Sequence, residues 1–230
     1  MAYVLKTNIA NKSNYGAKRA TSTIKYIVIH YTANDGDTDE NNGKYFKNNI
    51  VKASAHYFVD DDSVTQSVPD DYIAWAVGGT KLDSCKTTGG GKCYSKCSNT
   101  NSISIELCDT LKNGIVYPTA KTIKNAIELT DDLMKKYNIP KENVIRHFDV
   151  TGKLCPAYWC GTTEKDRKWL SEFWNKLDSK TTDNELTAAC KTLESAGIIN
   201  SPDYWAKGSG YSDANTVSLI KKFAKYVKGA

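Results

Sequence analysis

Histidine is the scarcest chemistry-bearing residue in this chain, with three in 230 positions. His30, His56 and His147 therefore each call for a place. No apolar run comes near the ~20 residues that a helix needs to cross a bilayer, so no membrane insertion is expected. The first residues, Met1-Ala2-Tyr3-Val4-Leu5-Lys6, lack the charged start and long apolar stretch of a secretory leader. A product made in the cytoplasm without a signal peptide is expected. No run of Lys or Arg and no basic helix face is present, which excludes nucleic acid as the expected partner. The triplet Asp60-Asp61-Asp62 lacks the alternating oxygens, the turn glycine and the closing glutamate of a Ca²⁺-binding EF-hand loop, and reads as a solvated turn. Seven cysteines is an odd number. That argues against a full disulfide framework and leaves thiols available for a metal.

What is there is ordinary globular composition, 40% hydrophobic and 25% charged. A length of 230 residues fits one or two domains. The formal charge is +5, and residues 181–230, with six Lys and five acidic residues, hold only +1 of it. The cationic excess therefore sits in the first 180 residues and favours an anionic surface as partner.

The stretch from Arg146 to Pro156 draws the eye first. It sets His147 and Cys155 eight residues apart, with Lys153 two before the thiol and Pro156 right after it. Imidazole and thiolate suit Zn²⁺ better than Mg²⁺ or Ca²⁺. A third ligand has to come from elsewhere, and His30, at the end of the run Tyr26-Ile27-Val28-Ile29, is the best candidate. Two His and one Cys with a fourth position open is the pattern of a catalytic rather than a structural zinc. The competing reading is two ordinary strand-end histidines and a buried thiol.

Along the chain, a weak strand covers 3–5 and a polar loop 8–23. Residues 24–31 form a strong buried strand that delivers His30 near its C-terminal end. A helix over 42–51 follows, then strands at 54–59 and 63–68 as a hairpin. The segment 72–79 carries Trp75 and the pair Gly78-Gly79. Residues 80–101 are a polar Gly/Ser/Lys insertion with Cys85, Cys93 and Cys97, too long for an idle connection. Their spacing matches no zinc pattern, so free thiols or one local disulfide are expected there. Residues 102–108 alternate as a strand, with Ile103, Ile105 and Leu107 on one face and Ser104, Glu106 and Cys108 on the other. An acid in mid-strand is unusual. Glu106 is either a paired structural carboxylate or a group placed in a cleft, and the second is favoured. A long amphipathic helix spans 119–137, a short strand 144–145, and a second helix 163–177 with Trp169, Phe173 and Trp174. After a polar linker at 178–183, helices are expected over 184–196 and from Asp213 or Asn215 onward, the last with Val217, Ile220, Phe223, Ala224 and Val227 facing in. The domains are thus 1–178 and 183–230. The second, marginal in size alone, is either a small appended module or a dimerising helical pair.

Five segments, in order, resemble the zinc-dependent N-acetylmuramoyl-L-alanine amidases, the family that includes phage amidases and peptidoglycan recognition proteins. They are the strand around His30, the segment Ser54-Ala55-His56-Tyr57-Phe58-Val59-Asp60, Ala74-Trp75-Ala76-Val77-Gly78-Gly79, the strand around Glu106, and Arg146 to Pro156. The resemblance covers about residues 20–177. It implies an α/β fold, a central mixed β-sheet flanked by helices, followed by the small C-terminal helical module. It implies Zn²⁺ on His30, His147 and Cys155, with Glu106 and Lys153 catalytic, and His56 and Trp75 as substrate-binding candidates, the alternatives being His56 as a support behind the site and Trp75 as a core residue. The implied substrate is bacterial peptidoglycan, cut between N-acetylmuramic acid and L-alanine, as a phage or prophage endolysin does after release onto the wall. A non-catalytic wall-binding module and a bacterial autolysin or wall-recycling amidase are the alternatives. The C-terminal module would bind wall or pair two chains. Two departures stand out: Ala55 where some members have Tyr, and Ala76 where a His is common.

Overall fold

The computed structural model describes residues 3–177, 184–206 and 212–227. The chain divides into two compact units, Met1–Asp178 and Ser179–Ala230. In the first, the elements run β1 (Val4–Thr7), β2 (Tyr15–Lys18), β3 (Tyr26–Asp35), α1 (Asp39–Asn48), β4 (Tyr57–Val59), β5 (Ser63–Gln66), β6 (Tyr72–Ala74), α2 (Cys85–Thr88), β7 (Ser102–Asp109), α3 (Ala120–Tyr137), β8 (Val144–Arg146), α4 (His147–Thr151) and α5 (Thr163–Lys168).

Six strands form one sheet in the order β1-β5-β4-β7-β3-β8. Only β4 and β5 pair antiparallel; β1–β5, β4–β7, β7–β3 and β3–β8 are parallel. The sheet is mixed, and the start of its central strand β3 reads as an unbroken apolar run because it is buried on both faces. Ile27, Val28 and Ile29 of β3 are all fully buried. One face, with Ile27, Ile29, Ile103, Ile105 and Leu107, packs against Ala126, Leu129, Leu133 and Met134 of α3. Each such aliphatic side chain contributes about 1.5–3 kcal/mol on burial. The helix α3 starts where Thr119 Oγ1 accepts from Thr122 N at 3.0 Å. It stops at Asn138, whose φ of 51° is left-handed.

Parallel register then does the work for the opposite face. His30 lies level with Glu106, and Glu106 level with Phe58. Residues level with one another on neighbouring strands point to the same side, so an imidazole and a carboxylate emerge together.

Several expectations are corrected. The loop expected at 8–23 contains β2, which pairs with β6 in a separate two-stranded sheet; the strand Tyr-Gly-Ala-Lys has no apolar alternation to announce it. The strand expected from residue 54 begins at Tyr57, because His56 N already donates to Ser104 O as an isolated bond. His147 does not end a strand but opens α4, where Asp149 Oδ2 accepts from Arg146 N at 2.9 Å. The helix expected over 163–177 is α-helical only to Lys168; a wider turn, Trp169–Phe173, and a tighter one, Trp174–Lys176, continue it.

The second unit holds α6 (Asn184–Ser195), α7 (Pro202–Trp205) and α8 (Asp213–Val227). Its core is Cys190, Ile198 and Ile199, with Leu193, Trp205 and Leu219 packed on it. Among the described side chains of α8, Leu219 packs on this core, whereas the expected Val217, Ile220 and Phe223 are 48%, 63% and 49% exposed; the expected Ala224 and Val227 lie outside the described side chains.

Candidate metal centre and its grooves

His30 arrives on β3, His147 at the first position of α4, and Cys155 after the left-handed turn at Gly152, φ 85°. Their ligand atoms all lie within 4.8 Å of one another. Cys155 Sγ is 3.7 Å from His30 Nδ1, and the two imidazole centroids are 4.8 Å apart. All three side chains are buried, at 2%, 4% and 3% exposure. Among the described residues this is the one His/Cys/Asp/Glu group close enough to hold a metal.

The chemistry of the donors fits a cation. His30 Nε2, both ring nitrogens of His147 and Glu106 Oε2 are buried without a hydrogen-bond partner. Buried polar atoms are rarely left so, because each costs about 1–3 kcal/mol. Burial, then the neighbouring His147 and Lys153, hold the His30 imidazole well below its ordinary range. Burial and then Lys153 lower His147 to about 4. Both rings are therefore neutral, the form that ligates. Burial and the Glu106 charge push the Cys155 thiol up; a bound cation reverses that by favouring the thiolate. Two neutral imidazoles and a thiol with unfilled lone pairs fit Zn²⁺.

Glu106 stands beside them, Oε1 3.9 Å from His30 Nδ1. Burial pushes its carboxyl up to about 8 against the pull of Lys153, although its side chain keeps 19% exposure. The opening it faces is a groove of about 600 Å³ lined by Tyr31, Asn34, Asn42, Tyr45, Phe46 and Lys153 among others. On the other side a groove of about 530 Å³ is lined by Trp75, Gly78, Leu82, Asn99, His147 and Lys153 among others. Both fall within the ordinary size range of ligand clefts. Lys153 is exposed and lines both, so its ammonium stands where they meet the cluster.

The structure thus brings together His30, Glu106, His147, Lys153 and Cys155, and places Trp75 in a groove wall. It does not bring His56. That residue is 0% exposed and lines neither groove. Its Nδ1 accepts from Ser104 N at 3.0 Å and its Nε2 lies 3.1 Å from Tyr72 O and 3.0 Å from Arg19 Nη2. His56 stitches β6 to β7, and the expectation of a substrate contact is corrected. Cys85, Cys93 and Cys97 are not joined by a disulfide.

Two sets of residues escape sequence reasoning. Arg146 is buried and pairs with Asp149 at 2.9 Å and Asp166 at 2.6 Å. It anchors the segment that carries His147, and its only sequence signal is adjacency to that histidine. The side chains of the groove beside Glu106 come largely from the C-terminal end of β3, the polar residue Asp37 after it, and α1, where Asn and Asp richness was the available sign.

A mixed sheet that presents a buried His/His/Cys cluster beside a carboxylate, with grooves opening on both sides, has the donor set and access of a metallohydrolase. The chain belongs to the N-acetylmuramoyl-L-alanine amidase family, which residues 20–158 match. It is 32% identical over 189 residues to the N-acetylmuramoyl-L-alanine amidase CwlL of Bacillus licheniformis, covering 76% of this chain and 48% of that one. It is 31% identical over 204 residues to the amidase CwlH of Bacillus subtilis, covering 86% and 68%. Among solved structures it is similar to a mutant endolysin from Bacillus subtilis, with 28% identity and a TM-score of 0.56, covering 74% of this chain and 96% of that one. The chain spans about half the length of the first curated relatives it matches, 48% and 49%.

Proposed function

We propose that the chain hydrolyses the amide bond between the lactyl group of N-acetylmuramic acid and L-alanine in peptidoglycan, as a zinc enzyme. The observation that carries the reading is the His30/His147/Cys155 cluster, with its unfilled donors beside Glu106, inside the stretch that matches the family. Zn²⁺ held by these three residues supplies a Lewis acid and lowers the pKa of a water from 15.7 to about 7.

The chain's own groups do the rest. Glu106 takes the proton of the attacking water as oxygen adds to the carbonyl carbon. It returns that proton to the nitrogen as the C–N bond breaks, leaving a lactyl carboxylate and the free amine of L-alanine. Its position beside the cluster, facing the groove, suits such two-way transfer. Lys153, at the meeting of the grooves, stabilises the negative oxygen of the tetrahedral intermediate. Trp75 and the groove walls hold the sugar–peptide junction in place.

By the same reading the protein acts on Gram-positive cell wall as a phage or prophage endolysin; support comes from the Bacillus relatives and the endolysin structure. The second unit serves as its wall-binding module. It carries Tyr204 and Trp205 at a cavity of about 280 Å³ also lined by Asn200 and Asn215.

The deciding experiment compares wild-type protein with Glu106→Ala on purified walls. Wild type is expected to carry about one zinc and to release L-alanine amino termini without new reducing sugar. Glu106→Ala is expected to keep the metal and lose about 10²–10⁴-fold in rate. Zinc-loaded wild type that binds walls and releases nothing would overturn the reading.

A further inference from the structure

Residues 80–101, the cysteine-bearing insertion, supply Leu82 and Asn99 to one groove wall but no group to the bond-breaking step above. Yet they pack closely. Cys97 is buried with Val28, Val77, Ile145 and Val150, and Cys93 lies against them. Three main-chain N–H groups of the insertion reach the helix that begins with His147. Leu82 N donates to Thr151 O at 2.9 Å, Gly91 N to Phe148 O at 3.0 Å and Cys93 N to Asp149 O at 2.7 Å. A helix of five residues leaves most of its last carbonyls without partners of its own. The insertion supplies donors to Asp149 O and Thr151 O, and adds a second at Phe148 O, which also accepts from Gly152 N at 2.9 Å.

Two glycines permit the approach. A Cβ on Gly90 would fall 2.8 Å from the Phe148 ring and 2.9 Å from Gly152 Cα. A Cβ on Gly152 would fall 2.2 Å from Cys85 Sγ. Cys85 is itself buried, its Sγ 3.5 Å from Thr151 O. At the far end of the insertion, Asn99 Oδ1 accepts from Ala76 N at 3.0 Å and Val77 N at 2.8 Å. That ties the wall carrying Trp75.

We infer that residues 80–101 are a clasp that positions the metal centre, holding α4 through main-chain hydrogen bonds and through Cys85 seated on Gly152. Gly152 is the pivot between His147 on one side and Lys153 and Cys155 on the other. What fixes Gly152 fixes the spacing of two ligands and the ammonium. The clasp also spans the groove from α4 to the Trp75 segment, so ligand geometry and groove width are set by one element. Supports behind a ligand shell are typically worth 10–100-fold in metal affinity. The inference rests on the metal reading for its zinc measurement, and has a second measurement that does not.

The test uses the full chain as wild type, Gly152→Ala, Cys85→Ala and the double variant. Zinc affinity is read by competition with a chromophoric chelator. Amide hydrogen exchange over residues 147–152 is read on the metal-free proteins. Gly152→Ala is expected to bind zinc at least tenfold more weakly and to exchange faster over α4. With the sulfur gone, the nearest atoms to the added Cβ are Leu82 Cβ at 3.6 Å and Cys85 Cβ at 3.8 Å, ordinary contacts. The double variant should therefore bind zinc at least threefold more tightly than Gly152→Ala. The backbone strain of alanine at φ 85° is common to both and cancels in that comparison. If Gly152→Ala does not fold, Cys85→Leu presses a larger side chain on an unchanged Gly152 and should show the same two losses. A double variant no tighter than Gly152→Ala, or exchange over 147–152 unchanged across the set, overturns the clasp. If wild type takes up no zinc, the metal reading fails, and the exchange pattern alone decides the clasp.

Discussion

At the residue scale, His56 shows how far burial can redirect a histidine. Its Nδ1 accepts from Ser104 N, so the ring proton sits on Nε2 and faces Tyr72 O. A second proton would break the first bond and place a charge beside Arg19. Burial and that arginine lower its pKa to about 3. The unfolded chain binds this proton near pH 6.5 and the folded chain does not. The contribution of His56 is therefore fully present above pH 6.5 and is lost as pH falls toward 3, on the order of a few kcal/mol. Urea unfolding of wild type from pH 7 to 4 should show that slope, and His56→Gln should flatten it. Lys153 makes a different prediction. Lys153→Ala should keep zinc and lose about 10²–10³-fold in kcat, measured on a soluble muropeptide. A loss confined to KM would return this lysine to simple substrate binding.

At the element scale, α4 is too short to hold itself. Arg146 secures its start through Asp149, and also donates to Trp159 O at 2.5 Å. Breaking a buried pair on one side leaves an uncompensated charge. Arg146→Met is expected to cost about 3–5 kcal/mol in unfolding free energy, with zinc affinity falling alongside. The Arg146→Met/Asp149→Leu pair should recover part of that stability, because the buried Asp149 is no longer left as an orphaned charge, while Asp166, 41% exposed, is solvated. The strands tell a simpler story. β3 and β8 were readable as apolar runs and β7 as an alternating strand, whereas β2 and β6 form a marginal two-stranded sheet with little patterning of their own.

At the scale of the whole molecule, the cluster, Glu106, Lys153 and both grooves lie in the unit Met1–Asp178. A chain ending at residue 178 is expected to keep zinc and to cleave soluble muropeptides at near the full rate. If residues 183–230 bind wall, the same chain sediments with intact walls less than full-length protein does. If instead the exposed Val217, Ile220, Phe223 and Tyr226 of α8 pair two chains, light scattering will show a dimer that the shorter chain loses, with wall binding unchanged.

The sequence by itself determined most of the sheet, through its β-branched runs, and singled out the candidate ligands. Scarce histidines and a thiol eight residues after one of them left strand-end histidines and a buried thiol as an equal alternative, and the resemblance of five ordered segments favoured the metal set. Local pattern also told of Glu106, since a carboxylate in an apolar strand needs a reason. Tertiary structure alone decided the rest. Register set His30 beside Glu106, which no spacing reveals because β3 and β7 are more than sixty residues apart in sequence. Burial on all sides turned His56 from a cleft candidate into a stitch between strands. The insertion's place over α4 followed from glycines, at positions 90 and 152, whose role is the contact they permit rather than any side chain they display.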